Sequence, residues 1–229
     1  MHIRAGVPEP AQQKAFGDAD VVTIVVELLR HNDARLVRIA RTAVLSPRMW
    51  PRDDLRARLR GELRRAEVTE AQLDSAETIS AAGARICDRA NCERLKGGLV
   101  ERYVHDLVSR RAPAAVRHEF HVGLPNHPHS GRDWTNPKEV VVDATPFEAY
   151  ECKFGGHVDQ DDINELGDIF VSAREEGTDA RPCIAVMTSE REVRHKLERA
   201  GVQLDEVLYI SDTADLPVLG QRPPSRRLR

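Results

Sequence analysis

The chain has 229 residues, which is enough for one or two domains that bury a core without disulfides or metal ions. Hydrophobic residues make up 41% and charged residues 31%, as in an ordinary globular protein, whereas aromatic residues make up only 4%. This scarcity argues against a protein that holds single strands by stacking their bases. The net charge of −3 hides an asymmetry, because residues 1–120 carry +4 and residues 121–229 carry −7. An acidic half of this kind is typical of a metal-binding site before the cation is added.

The cysteines and the N-terminus predict a cytoplasmic protein. Cys87, Cys92, Cys152 and Cys183 show no disulfide framework, so we expect reduced thiols. The opening MHIRAGVPEP lacks the apolar segment of a signal peptide. The longest apolar run, residues 21–29, is interrupted by polar residues and too short to cross a membrane, so we expect no membrane partner.

Residues 1–94 predict an all-helical N-terminal region. Residues 1–18 have the composition of a loose arm. Three stretches follow, at about 20–45, 53–68 and 70–92, in which apolar residues recur three and four apart. Arginines line the second stretch; they could contact phosphate, although such a run is more often a solvated helix face.

Residues 95–215 alternate between helical and strand-like patterns and predict an α/β domain. The predicted elements, in chain order, are a helix over 99–111, the strands RHEFHVGL, KEVVVDAT and AYECKF, a helix capped by Asp159, the strand CIAVMT, a helix capped by Ser189, and the strand EVLYIS. The order is therefore αβββαβαβ. Residues 216–229 are polar, basic and rich in proline, which predicts a disordered tail.

The segment KEVVVDATPFEAYECKF predicts a β-hairpin that carries charged side chains. A three-residue loop would pair Thr145 with Ala149 and bring Asp143 opposite Glu151. Alternation along the strand puts Lys153 on the same face as Glu151. Two carboxylates this close repel each other, and a hard divalent cation such as Mg²⁺ would stabilise both charges. Such a cation activates water and stabilises a reacting phosphoryl group, while the lysine orients the water.

A second register for this hairpin stays open. With a tighter turn centred on Thr145, Glu139 would face Glu151, and Asp143 would lie near the turn. Glu139 is then the alternative to Asp143 as a metal ligand. A purely structural interpretation also stays open, in which Glu151 and Lys153 belong to an exposed cross-strand charge cluster.

The pattern D-(x)7-E-C-K, on a hairpin between two helices, resembles the PD-(D/E)xK nuclease superfamily. The resemblance covers roughly residues 95–212 and implies a restriction-endonuclease-like αβββαβ core with a mixed central sheet, matching residues 99 to about 188. It implies that Asp143 and Glu151 bind Mg²⁺, which Mn²⁺ can replace, and that Lys153 is catalytic. The helix before the first strand often supplies a further acid in this family, and Glu101 in LVERYV fits that role.

These features predict a metal-dependent endonuclease that acts on nucleic acid, with DNA favoured over RNA, in restriction, repair or defence. Gln160, just after the hairpin, is a candidate for contact with a phosphate or a metal-bound water. The N-terminal helices would contact DNA, a partner protein or a second copy of the chain. The alternative is a module with a nuclease-like fold that binds nucleic acid or protein without cutting.

Overall fold

A computed structural model describes residues 1–6, 37, 41, 61, 89–155, 157–203 and 208–228. The chain forms two compact units, one of residues 1–9 and 104–229 and the other of residues 10–103. The helices predicted at about 20–45, 53–68 and 70–92 lie almost entirely outside the described residues. The boundary between the units falls inside the first described helix, later than the predicted boundary at 94/95.

The described residues form a seven-stranded sheet in which the strands follow one another in chain order. These strands are β1 (Ile3–Ala5), β2 (Val116–Val122), β3 (Lys138–Val142), β4 (Phe147–Lys153), β5 (Ala180–Val186), β6 (Leu208–Ser211) and β7 (Arg227–Leu228). Strands β1 to β4 pair antiparallel, β4 to β6 pair parallel, and β7 returns antiparallel to β6. The predicted α/β class with a mixed sheet is therefore confirmed.

Three α-helices accompany the sheet in the described part of the chain. They are α1 (Arg89–Arg111), α2 (Gln160–Glu175) and α3 (Glu190–Ala200). The predicted caps of the last two are confirmed: the Asp159 carboxylate accepts the Asp162 N–H, and the Ser189 hydroxyl accepts the Glu192 N–H. Gly201, at φ 67°, ends α3 in the left-handed conformation that glycine adopts without strain. No described helix is long and apolar enough to cross a membrane.

The apolar core holds α2 against one face of the sheet. Val141 of β3, Ala149 of β4 and Ile184 of β5 belong to the same buried cluster as Ile163 and Leu166 of α2. Each buried Val, Ile or Leu side chain of this cluster stabilises the fold by about 1.5–3 kcal/mol when it leaves water. This packing fixes the start of α2 beside the end of β4, where the charged residues of the hairpin lie.

Both ends of the unit differ from the predictions. Residues 3–5, predicted to belong to a loose arm, form β1 and pair with β2. The disordered tail predicted for 216–229 is wrong for residues 216–228, which include a 3₁₀ helix (Leu216–Gly220) and β7. Leu228 pairs with Leu208 and is 2% exposed, so burial of apolar side chains orders this basic segment.

Candidate functional site

The register of the β3–β4 hairpin decides which acid lies opposite Glu151. Val142 pairs with Glu148, and Val140 pairs with Tyr150. When this register is continued, Glu151 lies opposite Glu139, and Asp143 lies in the turn with an exposed side chain. The prediction that Asp143 faces Glu151 is wrong, and the alternative register is confirmed.

Phe147 explains why the turn is earlier than predicted. Its side chain is 2% exposed, and it pairs with Ala180 as the first residue of β4. Its N–H also donates to the carbonyl of Asp179 at 2.8 Å. Because both its side chain and its backbone belong to the strand, Phe147 is not available for the loop, and the turn is confined to residues 143–146.

Strands β3 and β4 part at the level of the charged residues. Along the described strands, their pairing ends at Val140 and Tyr150, whereas β4 stays paired with β5 as far as Lys153. Beyond that point the N–H of Cys152 donates to the Glu139 carboxylate at 3.2 Å. The Glu139 carboxylate therefore lies beside the backbone of β4, next to Glu151.

Lys138 brings a buried ammonium to the same place. Its Nζ lies 2.6 Å from Oε2 of Glu151 and 3.0 Å from Oε2 of Glu165 on α2. Burial alone would lower the pKa of Lys138, but the negative charges of Glu151, Glu165 and Glu139 outweigh it and raise that pKa. Lys138 is therefore a permanent cation at neutral pH.

An irregularity in the neighbouring strand accompanies the position of Lys138. The Lys138 side chain contacts α2, and Val141 belongs to the core cluster that also contains residues of α2. Lys138 and Val141 are three residues apart, and in a regular strand such residues point to opposite faces of the sheet. Glu119, on the paired strand β2, has a φ of 54°, which is uncommon for a residue with a side chain. The N–H of Gly6 donates to its carbonyl at 2.8 Å. The backbone departs from regular strand geometry beside Lys138.

Glu151 accepts from two ammonium groups. Oε2 bonds Lys138, and Oε1 lies 2.8 Å from Nζ of Lys153. Burial alone would raise the pKa of the Glu151 carboxyl, but Lys138 and Lys153 together lower it to about 2. Glu151 is therefore ionised throughout the physiological range.

Asp162, in the first turn of α2, completes the contacts of Lys153. Nζ of Lys153 lies 3.0 Å from Oδ2 and 3.2 Å from Oδ1 of Asp162. Burial and the nearby charge of Glu151 raise the pKa of Asp162, although Lys153 opposes them. The Lys153 side chain keeps 27% of its surface exposed, against 2% for Lys138. Lys153 is therefore the ammonium that a substrate can reach.

Glu165, on α2, accepts hydrogen bonds from the loop before β3. Its Oε1 accepts from Nη1 of Arg132 at 2.8 Å and from the N–H of Asn136 at 3.0 Å. Sequence reasoning missed Lys138, Asp162 and Glu165. One signal was available: Asp162 and Glu165 are three apart on a helix that follows the hairpin, so they share a face.

The other predicted residues have different surroundings. Gln160 is the first residue of α2, and its amide bonds the Asn164 side chain at 2.9 Å and the backbone of Gln203. Glu101 is half-buried on α1, in the unit of residues 10–103. The roles of Gln160 in substrate binding and of Glu101 as a further acid stay predictions. Cys152 and Cys183, the described cysteines with described side chains, are buried and outside any disulfide.

The donor set fits a hard divalent cation of the kind that binds few protein ligands. Within the described ranges, no three His, Cys, Asp or Glu side chains are arranged as a ready metal cage. Mg²⁺ is commonly held by one or two carboxylates, with water and substrate phosphate completing its shell, and Glu139 and Glu151 offer two.

Comparisons with known proteins find distant structural likeness but no family. No known family model matches the chain, and no curated protein matches it. Among solved structures, the chain is similar to the crystal structure of protein VC1899 from Vibrio cholerae, at 14% sequence identity and a TM-score of 0.41. The match covers 95% of this chain and 57% of that chain, so this chain spans a little over half the length of VC1899.

Proposed function

We propose that this chain is a divalent-cation-dependent nuclease of the PD-(D/E)xK type, whose αβββαβ core runs from α1 to β5. It hydrolyses phosphodiester bonds of nucleic acid, with DNA favoured over RNA, in restriction, repair or defence. One observation carries the proposal: the partly exposed Lys153 is bonded to the ionised Glu151 where β3 and β4 part, beside the Glu139 carboxylate. The assignment to the PD-(D/E)xK type rests on the motif of Glu151 and Lys153 and on the order of the helices and strands.

Glu139 and Glu151 would hold the ion, with Mg²⁺ as the natural choice and Mn²⁺ as a substitute. When bound, the ion lowers the pKa of its water and stabilises charge on the phosphoryl oxygens. We leave Asp143 out of the proposed site, because the hairpin register carries it to the turn. Glu101 is kept as a candidate for a further acid, and the N-terminal helices as candidates for contact with DNA, a partner protein or a second copy.

Lys153 orients the attacking water and stabilises the negative charge that develops on the phosphate. Its ammonium is held from two sides, by Glu151 at 2.8 Å and by Asp162 at 3.0 Å. Two fixed carboxylates restrict the direction of a long and flexible side chain, so little reorganisation is needed during the reaction. Its remaining exposure leaves room for a phosphate on the solvent side.

The test is cleavage of supercoiled plasmid, single-stranded DNA and RNA by the full chain with Mg²⁺ or Mn²⁺, with and without EDTA. We expect cutting that EDTA stops and that Glu151→Gln and Lys153→Ala abolish. Glu198→Gln, on the exposed face of α3, is the matched control and should cut like the wild type. Failure of every substrate with both metals would overturn the proposal.

A second candidate function is a module that binds nucleic acid or protein without cutting. The observation that favours it is that both carboxylate oxygens of Glu151 already bond ammonium groups, which stabilises the site without a metal. In the same assay, retention of nucleic acid on a gel without any cleavage under all metal conditions would support this function.

A further inference from the structure

The connection between β2 and β3 is longer than two neighbouring antiparallel strands require. It runs over residues 123–137, whereas such strands are commonly joined by about 2–5 residues. Connections longer than about 12 residues are uncommon in compact domains and usually serve a function. Residues 123–137, the β2–β3 loop, have no role in the chemistry proposed above.

Helix α2 holds the β2–β3 loop with three buried polar side chains on one face, those of Glu165, Asp168 and Ser172. The Asp168 carboxylate accepts the N–H of His129 at 3.0 Å and the N–H of Ser130 at 2.8 Å. The Ser172 hydroxyl donates to the carbonyl of Asn126 at 2.6 Å. Polar groups cost free energy when they are buried without partners. This face of α2 is therefore complete only with the loop fixed in place.

Arg132, in this loop, has its two terminal nitrogens held unequally. Nη1 lies 2.8 Å from Oε1 of Glu165, whose side chain is 2% exposed. Nη2 lies 3.4 Å from Oδ2 of Asp161, whose side chain is 70% exposed. A contact of that length, between exposed groups, contributes little to stability. One side of the guanidinium is therefore fixed to the protein, while the other is weakly held and open to solvent.

The first turn of α2 brings Arg132 close to Lys153. Asp161 and Asp162 are consecutive residues in that turn. Asp161 contacts Arg132, and Asp162 contacts Lys153. Phosphates repeat at short intervals along a nucleic acid strand. A strand with one phosphate at Lys153 therefore has another within reach of Arg132.

We propose that the β2–β3 loop holds the nucleic acid beside the bond that is cut, and that Arg132 binds one of its backbone phosphates. Arg132 keeps its bond to Glu165 and exchanges Asp161 for a phosphate oxygen. The planar guanidinium matches the oxygens of a phosphate, and its bond to Glu165 sets its direction in advance. This inference rests on the proposed function, because it takes nucleic acid as the substrate.

The experiment measures binding of the full chain to a fluorescein-labelled DNA duplex and to a labelled RNA strand, by fluorescence anisotropy at a series of salt concentrations. Ca²⁺, a larger ion with oxygen ligands, replaces Mg²⁺ to slow cleavage. We expect Arg132→Gln to weaken binding about tenfold at fixed salt. The slope of log affinity against log salt should become shallower by about 0.9 on the duplex, or about 0.7 on the single strand, because one phosphate contact is lost.

Arg174→Gln is the matched control for Arg132→Gln. Arg174 is exposed in the last turn of α2, about 20 Å along the helix from Asp161. The variant loses the same charge and should bind like the wild type. A folded Arg132→Gln protein with the affinity and slope of the wild type would overturn the inference, and so would a wild type that binds neither probe.

The two proposals fail separately. A wild type that binds through Arg132 but cuts nothing with Mg²⁺ or Mn²⁺ removes the proposed function and leaves the inference. A wild type that cuts nucleic acid, beside an Arg132→Gln variant with unchanged affinity and slope, removes the inference alone.

A second variant covers the case in which Arg132→Gln does not fold. Asp161→Asn removes an exposed carboxylate and keeps the bond between Arg132 and Glu165. Because a phosphate no longer competes with Asp161, binding should tighten about two- to threefold. Asp133→Asn is its control: it removes a carboxylate from the same loop, 88% exposed and in contact with His127, and should change binding less. Equal gains in the two variants would assign the effect to the overall charge and overturn the inference.

Discussion

Lys138 and Glu151 form an ion pair of 2.6 Å between Nζ and Oε2, in which the two side chains keep 2% and 6% of their surface exposed. The two residues come from neighbouring strands at the level where the strands part. Removing one partner of such a pair leaves a buried charge, at a cost of about 3–5 kcal/mol. The candidate site therefore stabilises the fold as well as offering chemistry, and every inactive variant needs a measurement of unfolding beside it.

Acid should destabilise the protein through Glu151. The pKa of Glu151 falls from 4.5 to about 2 in the folded chain, so its contribution is complete above pH 4.5 and is lost as the pH falls towards 2. The corresponding loss is about 3 kcal/mol of unfolding free energy. Urea denaturation at a series of pH values measures it.

Glu151→Gln is the control for this acid effect, because a glutamine does not titrate. Its unfolding free energy should lack the part of the acid-induced fall that Glu151 contributes, so the difference between wild type and variant should shrink as the pH falls from 4.5 to 2. A difference that stays constant across that range would show that Glu151 is not the group responsible.

Asp162 should support cleavage through Lys153 without being essential. Asp162→Asn keeps a side-chain oxygen for the Asp159 N–H but removes the charge that holds the Lys153 ammonium. Since Glu151 still holds Lys153, we expect single-turnover cleavage to fall about tenfold, or about 1.4 kcal/mol in the barrier. Lys153→Met should abolish cleavage.

Asp159→Asn is the matched control for Asp162. Asp159 belongs to the same helix cap, and its side chain accepts the Asp162 N–H rather than a bond from Lys153. It should cut at the wild-type rate. An equal loss of rate in both variants would assign the effect to the start of α2 and not to the lysine.

The C-terminal segment should contribute to stability. Leu228 is buried in β7, so Leu228→Ala should lower the unfolding free energy by about 2–5 kcal/mol. Arg227, its exposed neighbour, is the control, and Arg227→Ala should have almost no effect. Equal midpoints of denaturation for Leu228→Ala and the wild type would mean that β7 is not part of the folded unit.

The sequence predicted which charged residues share a face of the hairpin, but not which residues lie opposite each other on its two strands. In both registers Glu139, Asp143 and Glu151 lie on one face, because the partner of a given residue changes by four positions, an even number. The run Val140–Val142 is buried on both faces, so its pattern does not prefer one register. The burial of Phe147, which ends the turn, depends on β5 and is not local information.

The contacts of Lys138 could not be predicted from the sequence either, because they also depend on residues that are distant in the chain. Regular alternation would turn Lys138 away from the face that carries Val141 and α2. Its contact with Glu165 requires the packing of α2, and it occurs beside the irregular backbone at Glu119; both features are distant from Lys138 in the chain. The caps at Asp159 and Ser189, in contrast, are local patterns and were predicted.

The edge strands were missed because they are short. β1 has three residues and β7 has two, too few for an alternating pattern to be recognised. Both are ordered by pairing with a strand that is already part of the sheet.

The most direct test of the site is a comparison of Glu139→Gln with Asp143→Asn in Mg²⁺-dependent plasmid cleavage, with the folding of both variants checked by thermal denaturation. We predict that Glu139→Gln falls to the background seen with EDTA, whereas Asp143→Asn cuts within about twofold of the wild type. An inactive, folded Asp143→Asn beside an active Glu139→Gln would contradict the account, because the acid that the hairpin register carries to the turn would then be the one that the reaction needs.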